Sequence, residues 1–258
     1  VDIPLGPEPI THLGSLPITN SLLMSWLVIS TLLILALLIR SQLKMRPGRL
    51  QNAVEFIMET LYGLVESVAG TRAKHFFPVV ATFFFFILFS NWFGLIPGLN
   101  AIGINEHHHG VTTFVPLFRS VAADLNTTLA LALISVVLTQ YYGIRFKGIY
   151  GYVQHYFHNP LQGGIGLILL GVLIGAFVGA LELVSEFVKV ISLSFRLFGN
   201  IYAGEVVIST ISGLLSYIAP VPFLLLETIV GAIQAIVFAL LSLVFFSIIS
   251  QPVQNDSH

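Results

Sequence analysis

The sequence predicts an all-α, polytopic membrane protein. Five helices cross the membrane, one amphipathic helix lies on its inner surface, and the last two helices form a long, strongly tilted antiparallel hairpin. Three observations carry this. The 258 residues are 56% hydrophobic and 9% charged, against roughly 25% charged in soluble domains. Several apolar runs reach the ~20 residues that cross a hydrocarbon core as a helix. The eleven Lys and Arg residues are sorted by side: eight fall on inner segments, Arg119 falls outside, and Lys189 and Arg196 sit within the long helix. The dyad alternation of an outer-membrane barrel is absent. Without cysteine there is no disulfide framework and no thiolate metal site. A net charge of −1 gives no sign of nucleic-acid binding.

Residues 1–20 form an outer segment, proline-rich and mildly acidic, that lacks the basic n-region of a signal peptide. Residues 21–39 form the first span. Arg40, Lys44, Arg46 and Arg49 follow it, which places that end inside and the N-terminus outside. Over residues 50–69, Leu50, Ala53, Val54, Ile57, Met58 and Leu61 recur at helical spacing, with Glu55, Glu59 and Glu66 on the other side. That pattern predicts an amphipathic helix on the inner membrane face; the alternative is a soluble-side helix packed on a partner. Residues 76–97 run outward, with the aromatic stretch 83–86 used for packing, and end at Pro97-Gly98.

Residues 98–119 form an outer loop that holds His107-His108-His109. Neither helical spacing nor a carboxylate supports a metal there, so the loop is expected to be solvated. Residues 120–143 cross back inward to Arg145 and Lys147. The outer third of this span carries Asp124, Asn126, Thr127 and Thr128, so it is either wet or hydrogen-bonded, and Asp124 suits a helix cap. Residues 148–160 form an inner loop rich in Tyr and His. Residues 164–212 show no break and span roughly 70 Å at ~1.5 Å per residue, more than twice a ~30 Å core. That helix must kink, with Gly199 and Gly204 as candidates, or run strongly tilted. Gly171, Gly175 and Gly179 form a ridge for close helix contact. Residues 222–250 form the last span, and the C-terminus lies inside. The whole chain, 1–258, is expected to be one membrane domain.

Within this apolar frame Arg196 stands out. A guanidinium does not lose its proton to escape burial, and at the bilayer centre it costs ~2.5–3.5 kcal/mol on insertion scales. Glu182, Glu186, Lys189, Arg196 and Asn200 follow one another along the long helix as one polar stripe, with Glu205 off that line. The final span runs antiparallel and adds Glu227 and Gln234. Residue-number sums for facing positions nearly agree, 430 for Arg196 with Gln234 and 432 for Glu205 with Glu227. One register therefore brings a neutral partner to the arginine and two carboxyls to one outer site, where a labile proton is expected. Glu182 and Glu186 lie ~15–21 Å inward of Arg196, and Glu205 ~13 Å outward. Asp124, Asn126 and Asn91 join the outer group. Two polar vestibules, one open to each side, are thus separated by a fixed positive charge. The bland reading, an arginine that pairs an acid to join two helices, finds no Asp or Glu three or four residues away. For Lys189 it fits, since Glu186 or Glu182 is in reach.

These residues resemble subunit a of the F-type ATP synthases, in its bacterial and chloroplast-like form. Ser194-Phe195-Arg196-Leu197-Phe198-Gly199-Asn200-Ile201-Tyr202-Ala203-Gly204-Glu205 is similar to that family's signature around its essential arginine. Gly231-Ala232-Ile233-Gln234-Ala235-Ile236-Val237-Phe238 is similar to its final-helix motif. Ala123-Asp124-Leu125-Asn126-Thr127-Thr128, and Tyr142-Gly143-Ile144 through Lys147-Gly148, resemble its fourth-helix region. The likeness covers roughly residues 20–250. The family often has histidine where Glu227 stands, and some members carry an acid where Gly94 stands.

The resemblance implies an ion-translocating stator subunit, non-catalytic itself and without a cofactor. Arg196 faces the carboxylate of a rotating c-ring. Asn200, Glu205, Glu227 and Gln234 belong to the outer half-channel and its junction, and Glu182 with Glu186 to the inner one. The implied partners are the c-ring, subunit b of the peripheral stalk and the rest of the F1Fo complex, in a bacterial inner membrane or an organelle inner or thylakoid membrane. The chain has no phosphate-binding loop of its own. The rival class is a stand-alone ion-coupled secondary transporter with Arg196 in its substrate site, but no internal repeat is visible. An intramembrane hydrolase needs a base or metal triad in the spans, and every histidine falls in a loop or terminal segment.

Overall fold

The computed structural model describes residues 6–7, 9–13, 16–41, 43, 48–99, 102–108, 111–156, 165–214 and 218–251. Among these, helices dominate: α1 (Asn20–Ser41), α2 (Arg49–Ala69), α3 (Ala73–Gly94), α4 (Leu125–Tyr156), α5 (Ile165–Leu214) and α6 (Pro220–Ser250). A hairpin of β1 (Pro9–Leu13) and β2 (Leu16–Thr19) precedes α1, and a second, of β3 (Gly103–His108) and β4 (Val111–Pro116), joins α3 to α4. The architecture is all-α and polytopic. Among the described residues, Asn20–Ser41, Gln51–Gly94, Leu125–Gly148 and Pro220–Ser250 are long and apolar enough to cross a membrane. α5 is apolar through residues 165–181 and carries Glu182, Glu186, Lys189, Arg196 and Glu205 further along.

Several element ends differ from the sequence reading for identifiable reasons. α3 stops at Gly94, short of 97, because Pro97 has no N–H and pushes the residue before it out of the helical region. α4 starts at Leu125, not 120: Val121–Ala123 make a 3-10 turn, and the Asp124 carboxylate then accepts the backbone N–H of Asn126 at 2.9 Å. α4 also extends through much of the expected inner loop, interrupted at Gly148 (φ 74°). A proline opens α6, where its missing N–H costs nothing. The loop expected to be solvated contains β3 and β4, in keeping with the β-branched and aromatic run at 111–115. His109 and the side chains of His107 and His108 lie outside the described residues, as do residues 157–164 and 252–258. α5 runs 50 residues, and neither Gly199 nor Gly204 interrupts it.

α6 is the central helix, packed against α3, α4, α5 and α2. Phe76, Val80, Phe83 and Ile87 of α3 face Ala235, Phe238, Leu243 and Phe246 of α6 in one core, closed by Leu193, Leu197 and Ile201 of α5. Phe76 meets Tyr142 edge-on at 4.9 Å, and Phe83 meets Phe238 at 5.5 Å, so the aromatic stretch does serve packing. α4 turns a small and polar face inward. Thr128, Ala132, Ser135 and Thr139 are buried at alternating four- and three-residue steps. Thr128 shares a hydrogen bond with Ser194 of α5 (3.2 Å), and Ser135 donates to Ser242 of α6 at 2.7 Å. Small hydroxyl residues let helices approach closely, and each such bond contributes about 0.6 kcal/mol in a membrane. These contacts fix the rotation of α5, and with it the direction in which its charges point.

Candidate functional site

α5 has two faces. Glu186, Val190, Leu193, Ser194, Leu197 and Ile201 are buried, whereas Ser185, Ser192, Phe195, Arg196, Asn200 and Ala203 are exposed. The arginine therefore does not point into the bundle. Its Nη2 donates to Ser192 Oγ, one turn back, at 3.3 Å. Among the described residues no carboxylate pairs with Arg196, and no hydrogen bond joins it to Gln234, which is half-buried on α6. The expected neutral partner is thus a serine of its own helix. A hydroxyl leaves the guanidinium charge uncompensated.

Past Arg196 toward the C-terminal end of α5, the carboxylates separate. Nine residues on is about two and a half turns, so Glu205 leaves the opposite side of α5 rather than extending the stripe. There it meets Arg119, whose Nε lies 3.4 Å from Glu205 Oε1. Arg119 is 3% exposed and also donates from Nη1 to the Gly6 carbonyl at 2.8 Å. Glu227 is buried on α6 with its carboxyl against Gly204, where a Cβ would overlap it. That contact has a residue sum of 431, between the two sums that set the expected register. Glu205 thus turns from α5 toward Arg119, while Glu227 reaches from α6 onto Gly204, the residue beside it.

Asn91 of α3 is buried and donates to the Gly231 carbonyl at 3.0 Å, next to Trp92, whose Nε1 donates to Thr228 O at 3.2 Å. Gly231 is tightly packed here: a Cβ would lie 3.0 Å from Asn91 Cβ, so Asn91 would have to give by a few tenths of an ångström. Gly94 is similarly constrained, a Cβ falling 2.6 Å from that of Ser120, so an acid at this position needs Ser120 to move. Among the described residues, Asn91 Oδ1, Glu227 Oε1, Ser90 Oγ and Ser120 Oγ are buried without a protein hydrogen-bond partner. Polar atoms of that kind are where buried water binds.

Asp124 has a structural job. Its carboxylate takes Ser21 Oγ of α1 at 2.8 Å and Thr127 Oγ1 at 3.1 Å besides the Asn126 N–H, tying α1 to the start of α4. The cap and the hydrogen-bonded reading of this end of α4 thus go together, while the Asn126 side chain is exposed. On the N-terminal side of Arg196, Glu186 is buried and pairs with Lys189 at 2.6 Å, and the ammonium also lies 5.1 Å from the centre of the Phe245 ring. Glu186 Oε2 has no further partner among the described residues. Glu182, half-buried, lies in electrostatic reach of Lys147, beside the break at Gly148 in α4.

Arg119 and Ser192 were not among the residues singled out from sequence. Arg119 had a signal, as the one basic residue that the sorting of charges puts on the outer side. Ser192 had none beyond its place four residues before Arg196.

Comparison with known proteins gives a consistent result. The family model described as ATP synthase A chain matches residues 22–247. The chain is 32% identical to ATP synthase subunit a of Moorella thermoacetica, over 93% of this chain and 95% of that one. It is 35% identical to subunit a of Geotalea daltonii, over 86% and 83%. It is 36% identical to the chloroplastic subunit a of Stigeoclonium helveticum, over 86% and 80%.

Proposed function

The chain belongs to the ATP synthase A chain family, a proton-translocating part of the F-type complex in energy-transducing membranes, and from that premise we propose how it works. It is the stator past which a ring of carboxylate-bearing subunits turns. The observation that carries this reading is Arg196: a permanent cation on the exposed face of α5, bonded only to Ser192 among the described residues. A charge in that position is open to an anionic group on another chain.

Protons enter by an outer half-channel of Glu205, Glu227, Asn91, Asn200 and Gln234, and neutralise a ring carboxylate, which then moves into lipid. The unpartnered polar atoms of Asn91, Glu227, Ser90 and Ser120 support a hydrated path there. After most of a turn the carboxylate reaches the inner half-channel at Glu182 and Glu186 and releases its proton. Arg196 then attracts the bare carboxylate and repels any proton passing straight between the two half-channels. Each charge crossing 100 mV supplies ~2.3 kcal/mol, so ring rotation sums several crossings per ATP. Asp124 holds α4 and α1 in place beside this path. The chain performs no chemistry on ATP itself. Its partners are the c-ring, subunit b and the rest of the complex; its N-terminus lies outside and its C-terminus inside, with five crossings and α2 on the inner surface. A 50-residue α5, ~75 Å long at ~1.5 Å per residue, must lie steeply inclined in a ~30 Å core.

Arg196→Ala should reduce ATP-driven proton pumping in inverted vesicles to background, while the chain still assembles with its complex. Normal pumping by that variant would sink the reading.

A further inference from the structure

Arg119 is a second arginine that the scheme above does not use. It precedes the 3-10 turn Val121–Ala123, is almost fully buried, and makes polar contacts in two directions. On one side its Nε and Nη2 reach Glu205 Oε2 at 3.5 Å, with Nε 3.4 Å from Oε1. On the other, Nη1 donates to the Gly6 carbonyl at 2.8 Å. It therefore joins three parts of the chain at the outer end: the segment before β1, the loop before α4, and α5.

We propose that Arg119 is a positioning residue for proton entry, which holds the Glu205 carboxylate on the outer side of α5 and away from Glu227. The inference rests on the reading of Glu205 as part of the outer half-channel. The geometry gives the reason. Glu227 lies against Gly204, the neighbour of Glu205, and no described basic residue pairs with it. Two carboxyls so close in sequence register would otherwise turn toward each other and share one proton. A buried guanidinium, which cannot release its own proton, draws Glu205 to the other side and keeps two separate stations in place of one. The Gly6 carbonyl takes part of the guanidinium's hydrogen-bonding capacity, so Arg119 stays anchored when the carboxylate is protonated.

The test uses the assembled complex in vesicles and reads ATP-driven pumping per complex for Arg119→Gln, Arg119→Lys, Glu205→Gln and the Arg119→Gln/Glu205→Gln double variant. The expected results are a loss of about fivefold or more for Arg119→Gln, substantial recovery with Arg119→Lys, and little further loss when Arg119→Gln is added to Glu205→Gln. If Arg119→Gln fails to assemble alone but assembles in the double variant, the pairing with Glu205 is again the cause. The proposal is overturned if Arg119→Gln pumps as wild type, if its loss multiplies fully with that of Glu205→Gln, if Arg119→Lys recovers nothing, or if both Arg119→Gln variants fail to assemble. That last result would make Arg119 an anchor for Gly6 alone. Arg196→Ala, run in parallel, tests the stator reading separately, since normal pumping there removes the premise whatever Arg119 does.

Discussion

Glu205 and Glu227 reach one end of the site from different helices and meet different neighbours. Glu205 has a cation beside it; Glu227 has Gly204 and an oxygen without a protein partner among the described residues. If protons pass through both, each carboxyl can partly cover for the other. Glu205→Gln and Glu227→Gln should each lower ATP-driven pumping by less than about tenfold, and the double variant by more than the product of the two. Independent, multiplying losses would argue against linked stations. Arg196 itself was legible from sequence, because an arginine within an apolar helix violates the strongest rule of membrane composition. Its hydrogen bond to Ser192 was not, since a flexible side chain chooses among several partners that spacing alone leaves equal. The face of Glu205 could be counted from helical pitch, but its pairing with Arg119 depends on how a loop folds back, which no periodicity encodes.

The long helix α5 depends on which side chains its neighbours allow. Gly204 leaves room for the Glu227 carboxyl, whereas at Gly213, also in α5, a Cβ would meet nothing within 4 Å. Alanine at either site raises helix propensity by ~1 kcal/mol, so propensity alone predicts the same effect for both. Packing predicts otherwise. Gly204→Ala should displace Glu227 and lower pumping severalfold, while Gly213→Ala should leave pumping unchanged. Equal behaviour of the two variants in the pumping assay would count against the α5–α6 register. The helices themselves were readable because apolar runs and a 3.6-residue period dominate this chain. Their ends were less so: Asp124, Pro97 and Gly148 set them through capping, a missing N–H and a positive φ.

At the scale of the whole molecule, the buried and exposed faces of α5 divide its work. One face locks to α4 and α6 through Leu193, Ser194, Leu197 and Ile201. The other carries Arg196 with Ser192 and Ala203, all exposed. An unpaired arginine on such a face is costly against lipid and sensible against a chain that brings a carboxylate to it. The sequence contains no cysteine, so single cysteines report one position each. The most direct measurement is disulfide cross-linking, in the intact complex, to a cysteine placed beside the ring carboxylate. It compares Ala203→Cys, two turns from Arg196 on the exposed face, with Ser194→Cys on the buried face. The account predicts a product between this chain and a ring subunit from Ala203→Cys and none from Ser194→Cys. A product from Ser194→Cys with none from Ala203→Cys would mean that the arginine face does not meet the ring.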